Sequence, residues 1–249
     1  MKKKRVINGV FSIEGAKGNR PFYRKMNDGN SPIVVSDTVF QGIMNKNAET
    51  VIKELGLDPS GNVFKTVATL ENTKSVDALT CLGMCASKDV AVEAVAALER
   101  LKALVTLKEL GLYTNVGKEV VAALERLRAK NELEYIGKEV FSVSQKEEAV
   151  AALERLNAVD ELKHLGRISS HEGAVDALER MLPAFIEKGD TYSLLFLAEY
   201  GSDNVDKKAI AALERLNAVD ELRQFISYCH GKEDITREAV AALERLKED

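Results

Sequence analysis

The sequence predicts an all-α chain: an α-solenoid of about seven short two-helix units behind a small, partly β N-terminal segment. Three observations predict it. One helical phrase, AVAALERL or a close variant, recurs along most of the chain. A second amphipathic phrase, often closing on Leu-Gly or Ile-Gly, stands before each copy. Residues 1–46 carry neither phrase.

That first segment, 1–46, is read as a domain of its own. RVINGVFSI and PFYRKM have the composition of short strands and, joined by the Gly-bearing EGAKGN, of a β-hairpin. Ser36 heads SDTVFQGIM as a helix N-cap would. Residues 1–26 hold Lys2, Lys3, Lys4, Arg5, Lys17, Arg20, Arg24 and Lys25 against Glu14 alone, in a chain of net charge −4. A basic head therefore precedes an acidic body. Two readings stand: a cap whose charge packs on its own acidic body, or a nucleic-acid arm. In the second, Lys2, Lys3, Lys4, Arg5, Arg20, Arg24 and Lys25 meet phosphates while Phe22 and Tyr23 stack on bases. GAKGNR lacks the spacing and the strand–helix setting of a phosphate-binding loop.

Residues 47–249 are read as the helical repeat domain. Strong copies of the phrase start at Ala94, Val120, Ala149, Ala174, Ala209 and Ala239, and a degenerate one, TVATLENT, at Thr66. The mean step is about 29 residues, within the range of repeat arrays. The preceding elements include ETVIKELG, LVTLKELG, NAVDELKHLG and NAVDELRQF. Residues 149–162 and 209–222 differ at one place, Val150 against Ile210, which points to a late duplication of a two-unit block.

Each position of the phrase has a face. With about 100° per residue, Ala94, Val95, Leu98 and Leu101 make one apolar stripe, Ala97 and Glu99 flank it, and Glu93, Ala96 and Arg100 face away. The stripe is expected to bury against the other helix of its unit, Ala97 to admit a close neighbour, and Glu99 to pair with an adjacent unit. In the second phrase Val159, Leu162 and Leu165 share a face, and Gly166 is expected at a C-cap. One such pair cannot bury its apolar face alone, so stacking makes the core.

A two-helix unit of this length, with AVxALxxL in one helix and LxxLG in the other, resembles the short HEAT-type repeats of the armadillo-like group, over roughly residues 47–249. The resemblance implies a right-handed α-solenoid whose curved surface mostly binds other macromolecules. Some relatives bind DNA and excise damaged bases; others attach or isomerise bilin pigments. Fold alone does not choose among these.

Two features of the repeat domain are candidate partner-binding sites. Arg100, Arg126, Arg155, Arg180, Arg215 and Arg245 fall one per copy on the outward face. They read either as an anion-binding strip or as a lattice of ion pairs with Glu99, Glu125, Glu154, Glu179, Glu214 and Glu244. The step from 174 to 209 is longer than the others, and there Tyr192, Phe196 and Tyr200 recur at i+4 as a core stripe or a binding groove.

Little points to catalysis. There is no GxSxG and no HExxH, so no catalytic residue, metal or cofactor is assigned. Cys81 and Cys85 are i, i+4, but Cys229 and His230 lie too many units away to complete a zinc site, and a reducing, cytoplasmic setting fits three cysteines. No apolar run reaches membrane-spanning length, and no signal-peptide core precedes Glu14. The expected role is a non-enzymatic scaffold that holds a protein partner in the groove lined by the repeated helices. Nucleic-acid binding through the N-terminal segment is the alternative, and a pigment-handling or other small-molecule enzyme the third reading. Oligomeric state is not written in the sequence.

Overall fold

A computed structural model describes residues 63–85, 88–140, 142–169, 172–229 and 232–248. Among them every regular element is an α-helix, so the chain is all-α over the part described. The expectations for residues 1–46, and for the element at 49–56, lie outside the described residues.

The chain divides into two compact units, Met1–Ala123 and Leu124–Asp249. The first holds α1 (Val63–Asn72), α2 (Val76–Cys85), α3 (Lys88–Arg100), α4 (Leu104–Tyr113) and most of α5 (Gly117–Arg126), within which the division falls. Here α2 packs most closely on α3, while α1 lies against α3 and α2 against α4.

The second unit holds α6 (Lys130–Glu139), α7 (Val143–Arg155), α8 (Val159–Ser169), α9 (Glu172–Arg180), α10 (Leu182–Lys188), α11 (Thr191–Tyr200), α12 (Asp203–Arg215), α13 (Val219–Tyr228) and α14 (Glu233–Glu248). Helices α6, α8, α11 and α13 form one row in which each touches the next. The LERL helices α7 and α9 touch each other, as do α12 and α14, on the other side. The closest pairs, α6 with α7 and α11 with α12, join a second-phrase helix to the LERL helix after it.

The core follows the wheel with two shifts. On α3, Ala91, Ala94, Val95, Ala97 and Leu98 are buried, so Ala97 belongs to the core itself, where its methyl lets a neighbouring helix close in. On α8, Leu162 and Leu165 are buried as expected; Ala158 joins them, and Val159 is only half-buried.

The turns after α1, α3, α5, α7, α10 and α12 repeat a device the sequence does not announce. Lys74, Lys102, Arg128, Asn157 and Asn217 all sit at φ between 52° and 55°, and Gly189 at 66°. The two amides after the helix reach back in the same way each time. Lys102 N–H donates to the Glu99 carbonyl at 2.8 Å and Ala103 N–H to the Leu98 carbonyl at 2.9 Å. Asn157 with Glu154, and Ala158 with Leu153, repeat both bonds at 2.9 Å. This is a Schellman turn, which satisfies the last helical carbonyls by one left-handed residue. It sends the chain straight into the next helix, and Ala129, Ala158 and Ala218, each one residue on, turn inward and are buried.

Gly166 is not a C-cap. It lies inside α8, which runs on to Ser169. A Cβ there would stand 3.1 Å from the Phe196 ring and 3.3 Å from Val175, so its smallness serves helix approach. Gly137 does the same against Leu165 and Gly83 against Leu110.

Candidate interaction surface

The LERL arginines come first, because each lies at the last residue or in the last turn of its repeated helix. Four take the same partner, the glutamate of the copy before. Arg100 grips Glu71 through Nε and Nη2, both at 2.6 Å, and Arg155 grips Glu125 through the same atoms at 2.7 Å. Arg180 grips Glu154 at 2.8 and 2.5 Å, and Arg245 grips Glu214 at 2.5 and 2.8 Å. These forks hold Glu71, Glu125, Glu154 and Glu214 below the usual carboxylate pKa and raise their arginines. Here the ladder is an ion-pair lattice with its charge neutralised within the chain. Arg126 ends α5.

Arg215 departs from the pattern. It is exposed, and no carboxylate among the described residues bonds to it. The cause is the extra helix α10. The glutamate of the copy before, Glu179, accepts instead from the Ser202 backbone N–H at 2.7 Å. Ser202 is the N-cap residue of α12, whereas Arg215 ends it, about 20 Å further along the axis. By turn register, the place three before the left-handed residue is glutamate in five turns (Glu71, Glu99, Glu125, Glu154 and Glu214). Before Gly189 it is Ile186. The insertion shifts the α9 copy out of step with α12 while leaving it in step with α7.

The aromatic stripe divides between core and surface. Phe196 is buried at 2% exposure, whereas Tyr192 is 52% and Tyr200 39% exposed. Phe196 and Tyr200 stack with centroids 4.6 Å apart. Two cations from α8 meet them. Lys163 Nζ lies 4.3 Å from the centre of the Tyr192 ring, and Arg167 lies over Phe196 and donates to the Tyr192 hydroxyl at 3.3 Å. Lys163 is almost wholly buried, which lowers its amine pKa, and burial raises that of the Tyr200 hydroxyl. Asp190 caps α11 by accepting from Ser193 N–H at 3.0 Å, which fixes Tyr192 at its first turn.

Next to this face, between α11 and α13, a cleft of about 300 Å³ is lined by Leu195, Glu199, Gln224, Phe225, Tyr228 and Cys229. Tyr228 is 73% exposed. Sequence reasoning missed it, since it lies outside the i+4 stripe; its equivalence to Tyr200, three residues beyond the buried core position in both helices, was the available signal. Cys229 is half-buried, and burial raises its thiol pKa.

Lys2, Lys3, Lys4, Arg5, Arg20, Phe22, Tyr23, Arg24 and Lys25 lie outside the described residues. Among the described residues no three His, Cys, Asp or Glu side chains converge as a metal site, and no helix is long and apolar enough to cross a membrane. No protein-family model matches the chain, and no curated protein matches it significantly.

Proposed function

We propose that this chain is a non-enzymatic helical-repeat scaffold, its helix pairs stacking within each unit as short HEAT-like repeats, and that it holds a protein partner. The observation that carries this is the set of exposed tyrosines on α11 and α13: Tyr192 and Tyr200 on α11, and Tyr228 lining the cleft with Glu199 and Gln224. Tyrosine suits such a surface because it brings large contact area and a polar tip at small entropic cost. The repeated LERL face suits it less, since its carboxylates already occupy four of the arginines.

The test is selection of a displayed random-peptide library on the immobilised full chain. Selected peptides are then titrated against wild type and the combined Tyr192→Ala, Tyr200→Ala, Tyr228→Ala variant. Micromolar binders that weaken at least about tenfold on the variant support the reading. No binders, or binders indifferent to the three tyrosines, overturn it. Salt-steep binding of DNA or RNA oligomers by the full chain would instead favour the nucleic-acid reading through the basic N-terminal segment.

A further inference from the structure

Arg215 is unusual in a second way. Seven residues before the arginine, the same helix carries Glu93 on α3, Glu148 on α7 and Glu238 on α14. After the bidentate fork itself, each of these adds to the field that keeps its arginine charged. On α12 that place is Lys208, with Lys207 beside it, both exposed. No carboxylate among the described residues is in ion-pair range of either side chain. So α12 has lost the carboxylate from the copy before and the one from its own early turns. Of its acids, Asp206 is fully buried and bound to Lys232 at 3.2 Å, and Glu214 is taken by Arg245. Only Asp203, at the start of the helix, stays exposed, and it lies about 120–140° round the helix from Lys208 and Arg215.

The arrangement has a repeat of its own. Lys208 and Arg215 are seven residues apart, two helical turns or about 10 Å on one face. Exposed Ala211 lies between them and leaves room for a close approach. Leu216, 38% exposed, offers an apolar edge next to Arg215. Each of the four paired arginines holds a carboxylate carried by a neighbouring helix, in a two-pronged fork matched to carboxylate geometry.

We infer that the outward face of α12 docks an acidic helix of a protein partner, one carboxylate on Arg215 and a second, seven residues away, at Lys208. The partner helix supplies from outside the carboxylate that α10 has displaced and the one whose place Lys208 takes. This face is separate from the tyrosine surface, so the two readings stand or fall independently.

The test uses the full chain and fluorescence anisotropy at low salt. The probe is a labelled alanine-rich helix of about 20 residues, long enough to be helical, with two glutamates seven apart. Its partner probe has glutamine at both places. Wild type should bind the glutamate probe and bind the glutamine probe at least about tenfold more weakly. Arg215→Glu and Lys208→Glu should each cost a similar factor, while the triple tyrosine variant binds as wild type. Ile186→Glu, which restores a glutamate to the vacant register, should compete from within and weaken the probe. If Arg215→Glu disturbs the thermal melt, Arg215→Gln reads the same contact. Equal binding of both probes, or unchanged binding by the well-folded Arg215 and Lys208 variants, overturns the inference. So does an oligouridylate that binds through Arg215 more tightly than the glutamate probe.

Discussion

Replacing the left-handed turn residues by glycine should stabilise the chain, and by amounts that depend on what stands there now. Lys102 and Arg128 hold φ of 55° and 54° with a β-carbon that crowds the following carbonyl, at a cost of about 1–2 kcal/mol. Glycine removes that cost but gives up about 0.5–1 kcal/mol of backbone entropy. The net gain expected for Lys102→Gly or Arg128→Gly is about 0.5–1 kcal/mol. Asn157 and Asn217 occupy the same conformation with a side chain that tolerates it, so their gain should be only a few tenths. Gly189→Ala should run the other way and lose about 1 kcal/mol, its backbone being left-handed and a methyl there having room beside Leu216. Lys74→Gly, Lys102→Gly and Arg128→Gly together should add to about 1.5–3 kcal/mol, since the three turns share no side-chain bond. For a chain of this length that raises Tm by roughly 3–12 °C, read by far-UV circular dichroism. Lysine-to-glycine changes that lower Tm, or asparagine-to-glycine changes that raise it more than they do, would refute the conformational account.

Three further outcomes are expected. Lys232→Met removes the ammonium that bonds both the buried Asp206 carboxylate and the Gly201 carbonyl, and should cost about 3–5 kcal/mol in urea unfolding, with Asp206→Asn added to it recovering part of the loss. The Arg155 fork lowers the folded-state pKa of Glu125, so its contribution is full above the unfolded pKa and disappears as pH falls through the lowered one. A double-mutant cycle on that pair should give about 0.2–1 kcal/mol at neutral pH and low salt, shrinking below about pH 4 and in high salt, because Arg155 is half exposed. Gly166→Val should lower stability by about 1–3 kcal/mol by pushing Phe196 and Val175 aside, whereas Gly166→Ala should cost less.

The helices were legible because the repeat states its own faces. Leu98, Leu153 and Leu213 are buried where the wheel puts them. The turn geometry was not legible. Glycine and asparagine advertise a left-handed residue at 157, 189 and 217, but Lys74, Lys102 and Arg128 are held there by neighbouring hydrogen bonds rather than by their own preference. Gly166 misled because Leu-Gly at the end of an amphipathic phrase looks like a stop, and its reason, the Phe196 ring, comes from a helix thirty residues on. The arginines were visible as a periodic set, and so were their glutamates. Which glutamate each one takes depends on how successive turns align, and that alignment is what α10 disturbs at Arg215. The tyrosine face was seen in part: Phe196 proved to be core, and Lys163 and Arg167, which touch the stripe from α8, carry no mark in their own phrase.

The insertion α10 also bears on how the second unit finds one arrangement among several. Residues 149–162 and 209–222 are nearly the same text, so a folding chain offers two almost equal surfaces to any hairpin that seeks one of them. Energetic near-degeneracy of that kind slows folding and invites exchange of segments between molecules. The segment between the two texts is not interchangeable with any other. Leu182 and Phe185 are buried, Pro183 sits in the first turn of α10, and Glu179 is committed to Ser202. A mispaired chain, with one text docked in the other's place, would strand the first two and unmake the last contact. In a protein written by copying, this one irregular passage gives each copy an address.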